Sequence, residues 1–510
     1  MKGKKRKMAK MFKKILIANR GEIAVRIIRA CRELGVIPVV VYSEVDRKAL
    51  HVRLAEEAYY IGEAVLSQSY LNIEKIIKAT KKSKAGAIHP GYGFLAENPE
   101  LVARCEKEGI VFIGPPSSPM EIMGNKTASR VKMTKAGVPV IPGTLEPLKN
   151  EKDLQVKAEK VGFPLLLKAA AGGGGKGLRL VTRKKDLLSS YRIARSESQA
   201  SFGDPSIYIE KYIEEPHHIE IQILADNFGN IVYLGERECS IQRRYQKVLE
   251  ETPSPFIDDR IRKEMGQIAV QAAAAVNYRN AGTVEFVVDK NKNFYFLEMN
   301  TRLQVEHPIT EMVTGIDLAK SQIEIAAGFP LSYRQEDIKP KGFSMECRIY
   351  AEDPDNDFLP SPGKIVHLHT PAGGLGVRDD NGVYEGYEVP LEYDPLLSKL
   401  ITWGNSRTEA IYRMLRALSE YQVYGIKTTI PFFKRILLHP KFFEGDYNTH
   451  FISSLEKEED CRELEDRNVA LIAAGIKIYS ERKTGSAPAP KRKESNWKFQ
   501  GRLQNFANRR

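Results

Sequence analysis

Two glutamates on neighbouring predicted strands have the spacing that most clearly points to chemistry. Residues 283–289 (TVEFVVD) and 294–300 (FYFLEMN) are predicted strands that flank the polar stretch 290–293, a pattern typical of a β-hairpin. If the loop consists of these four residues, the antiparallel register places Glu285 opposite Glu298, with Cβ atoms roughly 4.5–5.5 Å apart. Two carboxylates at that distance repel each other unless a cation lies between them.

A divalent cation is the natural partner for this pair. Asn300 follows Glu298 by two residues on the same strand, so its amide oxygen points to the same face. Two carboxylates and an amide oxygen suit Mg²⁺, which usually completes its coordination with waters and substrate phosphates. The sequence therefore predicts a metal site at Glu285, Glu298 and Asn300. The opposite, core face would carry Val284, Phe286, Leu297 and Met299. A solvated acidic face and a different register are the alternatives.

A glycine-rich loop gives a second signal, for phosphate binding. Residues 172–177 (GGGGKG) separate an apolar strand at 163–171 from a second strand at 178–182, so the loop joins two strands rather than a strand and a helix. Such a loop can fold over phosphates and contact them through its backbone N–H groups. Lys168 lies within the apolar strand, where a lysine is costly to bury unless it meets an anion. We interpret Lys168 as a phosphate ligand; the solvent face of an edge strand is the alternative.

The residues after the hairpin combine a guanidinium group with a carboxylate. In the stretch 301–307 (TRLQVEH), an extended backbone would place Arg302, Gln304 and Glu306 on one face. Arginine binds planar oxyanions through its forked N–H groups, and a neighbouring carboxylate can act as a base. The stretch therefore predicts a site for a small carboxylate-like substrate. A surface ion pair between Arg302 and Glu306 is the alternative.

The elements that must position these residues are of two kinds. Short apolar strands alternate with helical patterns at the start of the chain, at residues 13–19, 36–42, 87–89 and 111–113. This alternation predicts a doubly wound parallel sheet over residues 11–125. From about residue 229 to 370 hairpins and helices mix in an α+β pattern, and a last mixed α/β segment ends near residue 451. The predicted fold class is therefore α/β combined with α+β.

Composition and charge exclude several classes of protein. Of the 510 residues 42% are hydrophobic, enough for a large core, and no run of eighteen apolar residues is present that would predict a membrane span. The net charge is +13, but residues 1–14 carry +8 and residues 481–510 carry +7, which leaves −2 for residues 15–480. Because the basic charge lies in the termini, nucleic-acid binding is a secondary hypothesis rather than the main one.

The cysteines favour a reducing compartment. They are scattered, with no CxxC pair, at positions 31, 105, 239, 347 and 461. No apolar segment follows the basic start of the chain, so a secretory signal is not expected. We therefore expect a cytoplasmic protein.

Taken together, these motifs resemble those of ATP-grasp ligases and, more closely, those of the biotin carboxylase component of biotin-dependent carboxylases. The similar segments are long and span residues 11 to about 452. Among them are IANRGEIAVRIIRACRELG at 17–35, AIHPGYGFLAEN at 87–98, KAAAGGGGKG at 168–177, EKYIEEPHHIEIQ at 210–222, ECSIQRRYQK at 238–247, FYFLEMNTRLQVEHPITEM at 294–312, MECRIYAEDP at 345–354 and FLPSPGKI at 358–365.

The resemblance implies three domains and a reaction. The domains would be an N-terminal doubly wound domain, an ATP-grasp domain with a glycine-rich lid, and a C-terminal mixed α/β domain. Their expected ranges are 11–125, 126–330 with the lid at about 140–211, and 331–452, between a basic tail at 1–10 and a helix plus a basic, proline-containing tail at 453–510. The implied reaction is the ATP- and bicarbonate-dependent carboxylation of biotin through carboxyphosphate, within an acetyl-CoA, propionyl-CoA or pyruvate carboxylase.

The resemblance also implies residue roles, carried over by matching position. ATP would be bound by Lys126, Lys168, Gly174, Gly175, Glu210, Lys211, Tyr212, Ile213, His218, Tyr245, Glu285 and Glu298, and Mg²⁺ or Mn²⁺ by Glu285, Glu298 and Asn300. Bicarbonate would be bound by Lys247, Arg302, Gln304 and Val305, and biotin by Arg348. The catalytic residues would be Arg302, Glu306, Lys247 and Arg348, with Glu306 as the base that deprotonates bicarbonate. Tyr245 replaces the family's usual histidine, and because a phenol cannot carry positive charge we expect a weaker contact with nucleotide phosphate there.

Partners follow from the same resemblance. Biotin would be supplied on a separate biotin carboxyl carrier protein, and separate carboxyltransferase subunits would pass on the carboxyl group, since only 58 residues follow residue 452. Homodimerisation is the family expectation, and neither a membrane nor a nucleic acid is the expected partner. Two other hypotheses stay open at this point: another ATP-grasp carbon–nitrogen ligase of the carbamoyl-phosphate or purine-pathway type, and a basic nucleic-acid-binding protein.

Overall fold

The computed structural model describes residues 9–170, 178–371 and 373–455. Residues up to 452 form one compact unit, and of the second unit, 453–510, only residues 453–455 are described. The predicted phosphate loop with Gly174 and Gly175, and the predicted C-terminal helix and basic tail, lie outside the described residues. None of the helices within the described ranges combines the length and the hydrophobicity that a membrane span requires.

The N-terminal region is a parallel sheet with helices on both faces, as predicted. Its elements are β1 (Lys14–Ile17), α1 (Gly21–Glu33), β2 (Ile37–Ser43), α2 (Leu50–Leu54), β3 (Glu57–Gly62), α3 (Ile73–Ser83), β4 (Ala87–His89), α4 (Pro99–Glu108), β5 (Val111–Phe112) and α5 (Ser117–Gly124). The strands pair in parallel in the order β3-β2-β1-β4-β5. Ile15 and Ile17 pack in the core that contains α1, whereas Leu16 packs in the core that contains α3 and α4, because successive strand residues point to opposite faces.

The middle region contains a small sheet and most of a large one. Its elements are α6 (Lys126–Lys135), α7 (Glu151–Val161), β6 (Leu165–Ala169), β7 (Arg179–Val181), α8 (Leu187–Phe202), β8 (Ile207–Lys211), β9 (His217–Ala225), β10 (Ile231–Arg243), β11 (Gln246–Thr252), α9 (Asp259–Ala275), β12 (Asn280–Val288), β13 (Phe294–Asn300), α10 (His307–Thr314) and α11 (Leu318–Ala326). The small sheet is β7-β6-β8, packed against α7 and α8. Because β6 pairs with β7 in antiparallel fashion, the predicted strands on either side of the glycine loop are confirmed.

The C-terminal region completes the large sheet. Its elements are β14 (Phe343–Tyr350), β15 (Glu352–Asp353), β16 (Leu359–Pro360), β17 (Gly363–Lys364), β18 (His367–His369), β19 (Val377–Asn381), β20 (Glu388–Val389), β21 (Leu396–Gly404), α12 (Arg407–Glu420), β22 (Gln422–Tyr424), α13 (Ile430–Leu438) and α14 (Pro440–Glu444). Eight antiparallel strands run in the order β13-β12-β9-β10-β11-β14-β21-β19. The middle and C-terminal regions therefore share one continuous sheet.

This eight-stranded sheet has an apolar face and a polar face. In β9, Ile219, Ile221 and Ile223 pack in the core that contains α9. Glu220 and Gln222 alternate with them and point to the other face. α10 packs on β10, β11, β14 and β21. The polar face is therefore the one that can carry functional side chains.

The β12–β13 hairpin forms as predicted, but its loop is one residue longer than expected. Val288, not Asp289, pairs with Phe294. The Asp289 side chain accepts hydrogen bonds from the backbone N–H groups of Asn291 at 2.8 Å and Asn293 at 2.9 Å. An aspartate that bonds its own backbone in this way starts the turn, so Asp289 belongs to the loop. The predicted four-residue loop is therefore wrong.

A β-bulge in β13 compensates for the longer loop. Glu285 pairs with Glu298, as predicted, whereas the next residue, Phe286, pairs with Phe296. Leu297 is the extra residue, and a bulge changes the direction in which nearby side chains point. Leu297 lines a cavity together with Glu298, so its predicted place on the core face is wrong.

Candidate active site

A cavity of about 790 Å³ lies over the polar face of the eight-stranded sheet. Residues 19–23 of the N-terminal region line one side, and Tyr393 and Asp394 of the C-terminal region line another. Ten of the predicted site residues line the cavity: His218, Tyr245, Lys247, Glu285, Glu298, Asn300, Arg302, Gln304, Val305 and Arg348. The structure thus brings together side chains that lie up to 130 residues apart between His218 and Arg348.

Lys247 is the centre of charge in the cavity wall. Its Nζ lies 2.5 Å from a Glu220 oxygen and 2.8 Å from oxygens of both Glu285 and Glu306. Burial would lower the pKa of Lys247, but these three carboxylates hold it well above its usual value. The ammonium group is therefore charged and shared by three acids, which makes it a donor that an incoming anion can recruit.

Glu306 lies directly behind the cavity surface. It precedes α10 and is completely buried, with Lys247 Nζ at 2.8 Å and Arg348 Nη2 at 2.9 Å from its two carboxylate oxygens. Burial would raise the pKa of Glu306, but Lys247, Arg348 and Arg237 hold it well below its usual value. The carboxylate is ionised, the form that can accept a proton.

The stretch 301–306 is a turn, so the predicted extended backbone is wrong. Because α10 begins at His307, the chain must turn before it, and Glu306 has φ −78° and ψ 12°. Arg302 Nε donates to Glu97 at 2.8 Å, and its Nη1 donates to Gln304 at 3.0 Å. The alternative of a surface ion pair between Arg302 and Glu306 is also wrong, since Glu306 is paired with Lys247 and Arg348.

The opposed glutamates differ in how the protein compensates their charge. Glu285 accepts hydrogen bonds from Lys247 at 2.8 Å, Asn300 at 2.7 Å and Gln304 at 3.1 Å, and pairs with His218 at 2.8 Å. Burial would raise the pKa of Glu285, but Lys247 and His218 hold it far below its usual value. The pKa of Glu298, in contrast, is raised by burial and by the charge of Glu285.

These carboxylates fit a hard divalent cation. Burial and the charge of Glu285 raise the pKa of Glu298, an effect that a bound cation would offset. Asn300 also lines the cavity, and its amide oxygen accepts a hydrogen bond from Arg302 at 3.2 Å. A second cluster, His218, Glu220 and Glu285, places one ligand atom of each residue within 4.8 Å of the others. Lys247 already contacts both glutamates of that cluster, so the set around Glu298 fits a metal ion better.

The other predicted nucleotide ligands lie in α6, in β6, and in and just after β8. Lys168 forms an ion pair with Glu210, which also pairs with Arg130, so Lys168 is not on a solvent face and that alternative is wrong. The positive charge of Lys126 acts on Glu298. Lys211 Nζ donates to a backbone oxygen at 3.1 Å. The backbone N–H groups of Lys211 and Tyr212 also donate hydrogen bonds, and Ile213 follows these two residues in the chain. In the part of the chain that the structure describes, these residues lie outside the lining of the main cavity.

Sequence reasoning missed two acids that hold the cations in place. Glu220 contacts Lys247 and the buried Arg237, and it is the register partner of Glu285. Its signal was the alternation of two polar residues with three isoleucines in β9, which predicts a strand with one polar face. Glu97 accepts a hydrogen bond from Arg302, 205 residues away, and such a long-range pair has no local signal.

Comparison with known proteins gives matches over most of the chain. Residues 11–120 match the family model "Biotin carboxylase, N-terminal domain", residues 125–334 match "Carbamoyl-phosphate synthase L chain, ATP binding domain", and residues 346–454 match "Biotin carboxylase C-terminal domain". A pyruvate carboxylase subunit of Methanothermobacter thermautotrophicus is 51% identical over 493 residues, which cover 93% of this chain and all of the relative.

The chain belongs to the biotin carboxylase family. Biotin carboxylase 1 of Bacillus subtilis is 52% identical, over 88% of this chain and 99% of that protein. The biotin carboxylase domain dimer of Hydrogenobacter thermophilus 2-oxoglutarate carboxylase, solved with MgADP, ADP and bicarbonate, superposes with a TM-score of 0.83 at 47% identity, over 87% of this chain and 98% of that one.

The family settles the main functional hypotheses. The predicted biotin carboxylase activity and the predicted ATP-grasp fold are confirmed, and the chain is an ATP-dependent ligase. Both end domains match biotin carboxylase models, so the alternative of a carbamoyl-phosphate or purine-pathway ligase is not favoured. Nucleic-acid binding is likewise not the main function of an enzyme of this family.

Proposed function

We propose that the wall formed by Lys247, Arg302, Arg348 and Glu306 binds bicarbonate and carries it into a phosphoryl transfer. The observation that supports this is the meeting of three cationic side chains and one ionised carboxylate at the cavity. Lys247 and Arg302, with Gln304 and the backbone at Val305, would bind the bicarbonate oxygens. Charge-assisted hydrogen bonds of this kind orient a small oxyanion firmly.

Glu306 would act as the base that removes the bicarbonate proton. Its ionised state comes from Lys247 and Arg348, which hold its pKa well below the usual value against the effect of burial. When bicarbonate recruits those cations, the pKa of Glu306 rises, because the charges that lowered it now face the substrate. Substrate binding would thus strengthen the base at the moment it is needed.

The nucleotide would lie over the opposed glutamates. Glu285, Glu298 and Asn300 would hold Mg²⁺, which when bound neutralises phosphate charge. His218, Tyr245, Lys126, Lys168 and the segment 210–213 would bind the rest of ATP, together with Gly174 and Gly175. His218 is already fixed by Gln242 on one ring nitrogen, at 2.8 Å, and by Glu285 on the other.

The proposed reaction has two steps. A bicarbonate oxygen attacks the γ-phosphorus of ATP, the bond to the β-phosphate oxygen breaks, and carboxyphosphate and ADP form. Carboxyphosphate then releases CO₂ and trianionic phosphate; the phosphate takes the proton from N1 of biotin, and N1 bonds to the CO₂ carbon. Arg348 would stabilise the negative oxygen of the biotin ring in that step. Catalysis consists mainly of positioning and charge stabilisation, as in other phosphoryl transfers.

Steady-state ADP release tests this proposal. The wild type should hydrolyse ATP only when bicarbonate is present, and free biotin should stimulate the reaction. Lys247→Met should lower kcat by about 10²–10³, the range seen when one group that stabilises a developing charge is removed. Lys157→Met is the matched control, since Lys157 pairs with Asp153 on the surface of α7. Hydrolysis that ignores both bicarbonate and biotin would contradict the proposal.

The carrier and the transferase would be separate chains. The Methanothermobacter relative is named as one subunit of pyruvate carboxylase and is matched over its whole length, which supports a subunit role here. Identity to that relative and to biotin carboxylase 1 is nearly equal, at 51% and 52%, so the partner transferase would determine the acceptor. Purification of the complex from its native cells should recover a biotinylated protein; recovery of a homodimer with no biotinylated partner would contradict a separate carrier.

We also propose the domain division 11–125, 126–330 and 331–452, and a cytoplasmic location. The ranges of the matched family models, 11–120, 125–334 and 346–454, support the division. Limited proteolysis should cut first near residues 125 and 330, or in the lid; a first cut inside the eight-stranded sheet would contradict it. Cell fractionation tests the location, and activity in a membrane fraction would contradict it.

A further inference from the structure

A second pair of opposed glutamates lies behind the cavity wall. Glu250 of β11 and Glu346 of β14 are register partners, and both side chains are completely buried. Both oxygens of Glu346 and Oε2 of Glu250 have no hydrogen-bond partner among the described residues. A buried carboxylate needs a donor, a cation or a proton, so two full negative charges at this position would be very costly.

The cations near this pair are shared with other acids. Arg348 Nη2 contacts Glu250 on one side and lies 2.9 Å from Glu306 on the other. Lys399, the register partner of Arg348, donates to a backbone oxygen at 2.9 Å and lies 3.3 Å from Glu22. The charged groups that act on the pair are Arg348, Lys399, Glu306 and Lys247, and Cys239, Cys347 and Tyr350 lie within its field. Because Arg348 is shared with Glu306, and Lys399 contacts Glu22 and a backbone oxygen, these cations do not neutralise both members of the pair.

The electrostatics agree with this geometry. Burial raises the pKa of Glu250 to about 7; Arg348 opposes the shift and Glu306 adds to it. Burial also raises the pKa of Glu346 well above its usual value, with Lys399 opposing and Glu250 adding to the shift. The titration belongs to the pair rather than to either acid alone. The pair therefore keeps a proton near neutral pH.

We propose that Glu250 and Glu346 share one proton, and that this proton frees Arg348 to leave Glu250 and point into the cavity. When the proton is lost, Glu250 carries a full charge and holds Arg348 against the wall. The two glutamates are positioning residues, since they act on the substrate only through Arg348. The inference rests on the proposed function, in which Arg348 faces the biotin ring.

Two isosteric variants should shift the pH profile in opposite directions. In Glu346→Gln the amide can donate to Glu250 and keep it ionised, so kcat/KM for biotin should be about tenfold below the wild type at pH 6 and equal to it at pH 8. In Glu250→Gln the carboxylate that would hold Arg348 against the wall is gone. The kcat/KM for biotin should therefore be about equal to that of the wild type at pH 6 and about tenfold above it at pH 8. A purely structural role would lower both variants by a constant factor.

The matched control is Glu251→Gln, on the opposite face of the same strand, where Glu251 binds Arg407 rather than Arg348. Its kcat/KM for biotin, relative to the wild type, should not change with pH. Infrared spectroscopy gives a readout apart from activity: the wild type should show a protonated, buried carboxyl at pH 6 that Glu346→Gln lacks. The inference would be overturned if kcat/KM for biotin, relative to the wild type, did not change with pH in either variant, or changed in the same direction in both. A wild type that biotin never stimulates would instead contradict the proposed function.

Discussion

Among the glutamates that oppose each other across strands of the large sheet, two pairs differ in whether they line the cavity. Glu285 and Glu298 are register partners in β12 and β13, and Glu238 and Glu251 are register partners in β10 and β11. Both pairs oppose like charges at a distance where they repel. The difference between them lies in the groups that surround each carboxylate.

In the interior pair, Glu238 and Glu251, both carboxylates accept hydrogen bonds from the protein's own donors. Ser254 Oγ donates to Glu238 at 2.6 Å, and Ser240 also donates to it. Arg407 forms a two-bond contact with Glu251 at 2.6 and 2.9 Å, and Tyr447 adds a third donor. The cavity pair concentrates its donors on Glu285 and leaves Glu298 facing the cavity with a raised pKa. Strand register alone therefore does not separate the two pairs; the donors around each carboxylate do.

The largest predicted effect comes from a substitution in the cavity pair, Glu285 and Glu298. Glu298→Gln keeps the shape of the side chain and spares the donors on Glu285, but it removes one of the proposed anionic ligands for Mg²⁺. We expect kcat for bicarbonate-dependent ATP hydrolysis to fall by about 10³, the upper range for loss of a group that stabilises charge in the transition state. Thermal unfolding should show no loss of stability without added metal, since a repelling charge has gone. The measurement is ADP release across a Mg²⁺ titration.

Glu251→Gln provides the comparison from the interior pair. It removes the same charge from the other pair, which does not line the cavity, so the Mg²⁺ dependence of ATP hydrolysis should match that of the wild type. If both variants shifted the Mg²⁺ midpoint equally, the distinction between the two pairs would fail.

The second-largest predicted effect comes from removing the cation that binds the interior pair. It should lower the free energy of unfolding. Arg407→Met would leave Glu251 buried without its cation, and removing one partner of a buried ion pair costs about 3–5 kcal/mol. We expect a fall of about 3 kcal/mol in the free energy of unfolding, measured with denaturant, because the Arg407 side chain keeps some exposure. Activity per folded molecule should stay close to that of the wild type.

Arg416→Met is the control for that experiment. Arg416 lies on the same helix, α12, and forms an exposed pair with Glu420 four residues later. Exposed pairs of this kind contribute little, so its unfolding curve should overlay that of the wild type. Equal losses in the two variants would show that burial of Glu251 is not what makes Arg407 important.

The sequence predicted the parallel sheet well, because its strands carry local signals. β1, β2 and β4 are short apolar runs buried on both faces, and the helices between them have a clear apolar period. The opposition of Glu285 to Glu298 was also predicted correctly, although through two errors that cancel. The loop is one residue longer than predicted, and the bulge at Leu297 restores the register.

Long-range partners explain what could not be predicted. Arg302 binds Glu97 and Lys247 binds Glu220, Glu285 and Glu306, contacts that only the packed sheet brings together. The turn before α10 places Glu306 behind the cavity surface, whereas an extended strand would have placed it beside Arg302. Nor does composition distinguish a glutamate with donors from one without, which is the property that separates the two pairs.

The smallest predicted effect tests whether the turn maintains the cavity pair. The Asp289 carboxylate accepts bonds from two backbone N–H groups and from the Asn293 side chain at 2.9 Å. Asp289→Ala removes these bonds at an exposed loop, so we expect a loss of about 1 kcal/mol in unfolding free energy. The bulge at Leu297 depends on this loop length. A looser turn should therefore also raise the Mg²⁺ midpoint, the concentration that gives half-maximal activity, by about twofold to threefold, which corresponds to a loss of under 1 kcal/mol in binding free energy. Asp289→Asn keeps an acceptor oxygen and should restore both values. If Asp289→Ala lowered stability without moving the Mg²⁺ midpoint, the bulge would hold the glutamates in register without help from the turn.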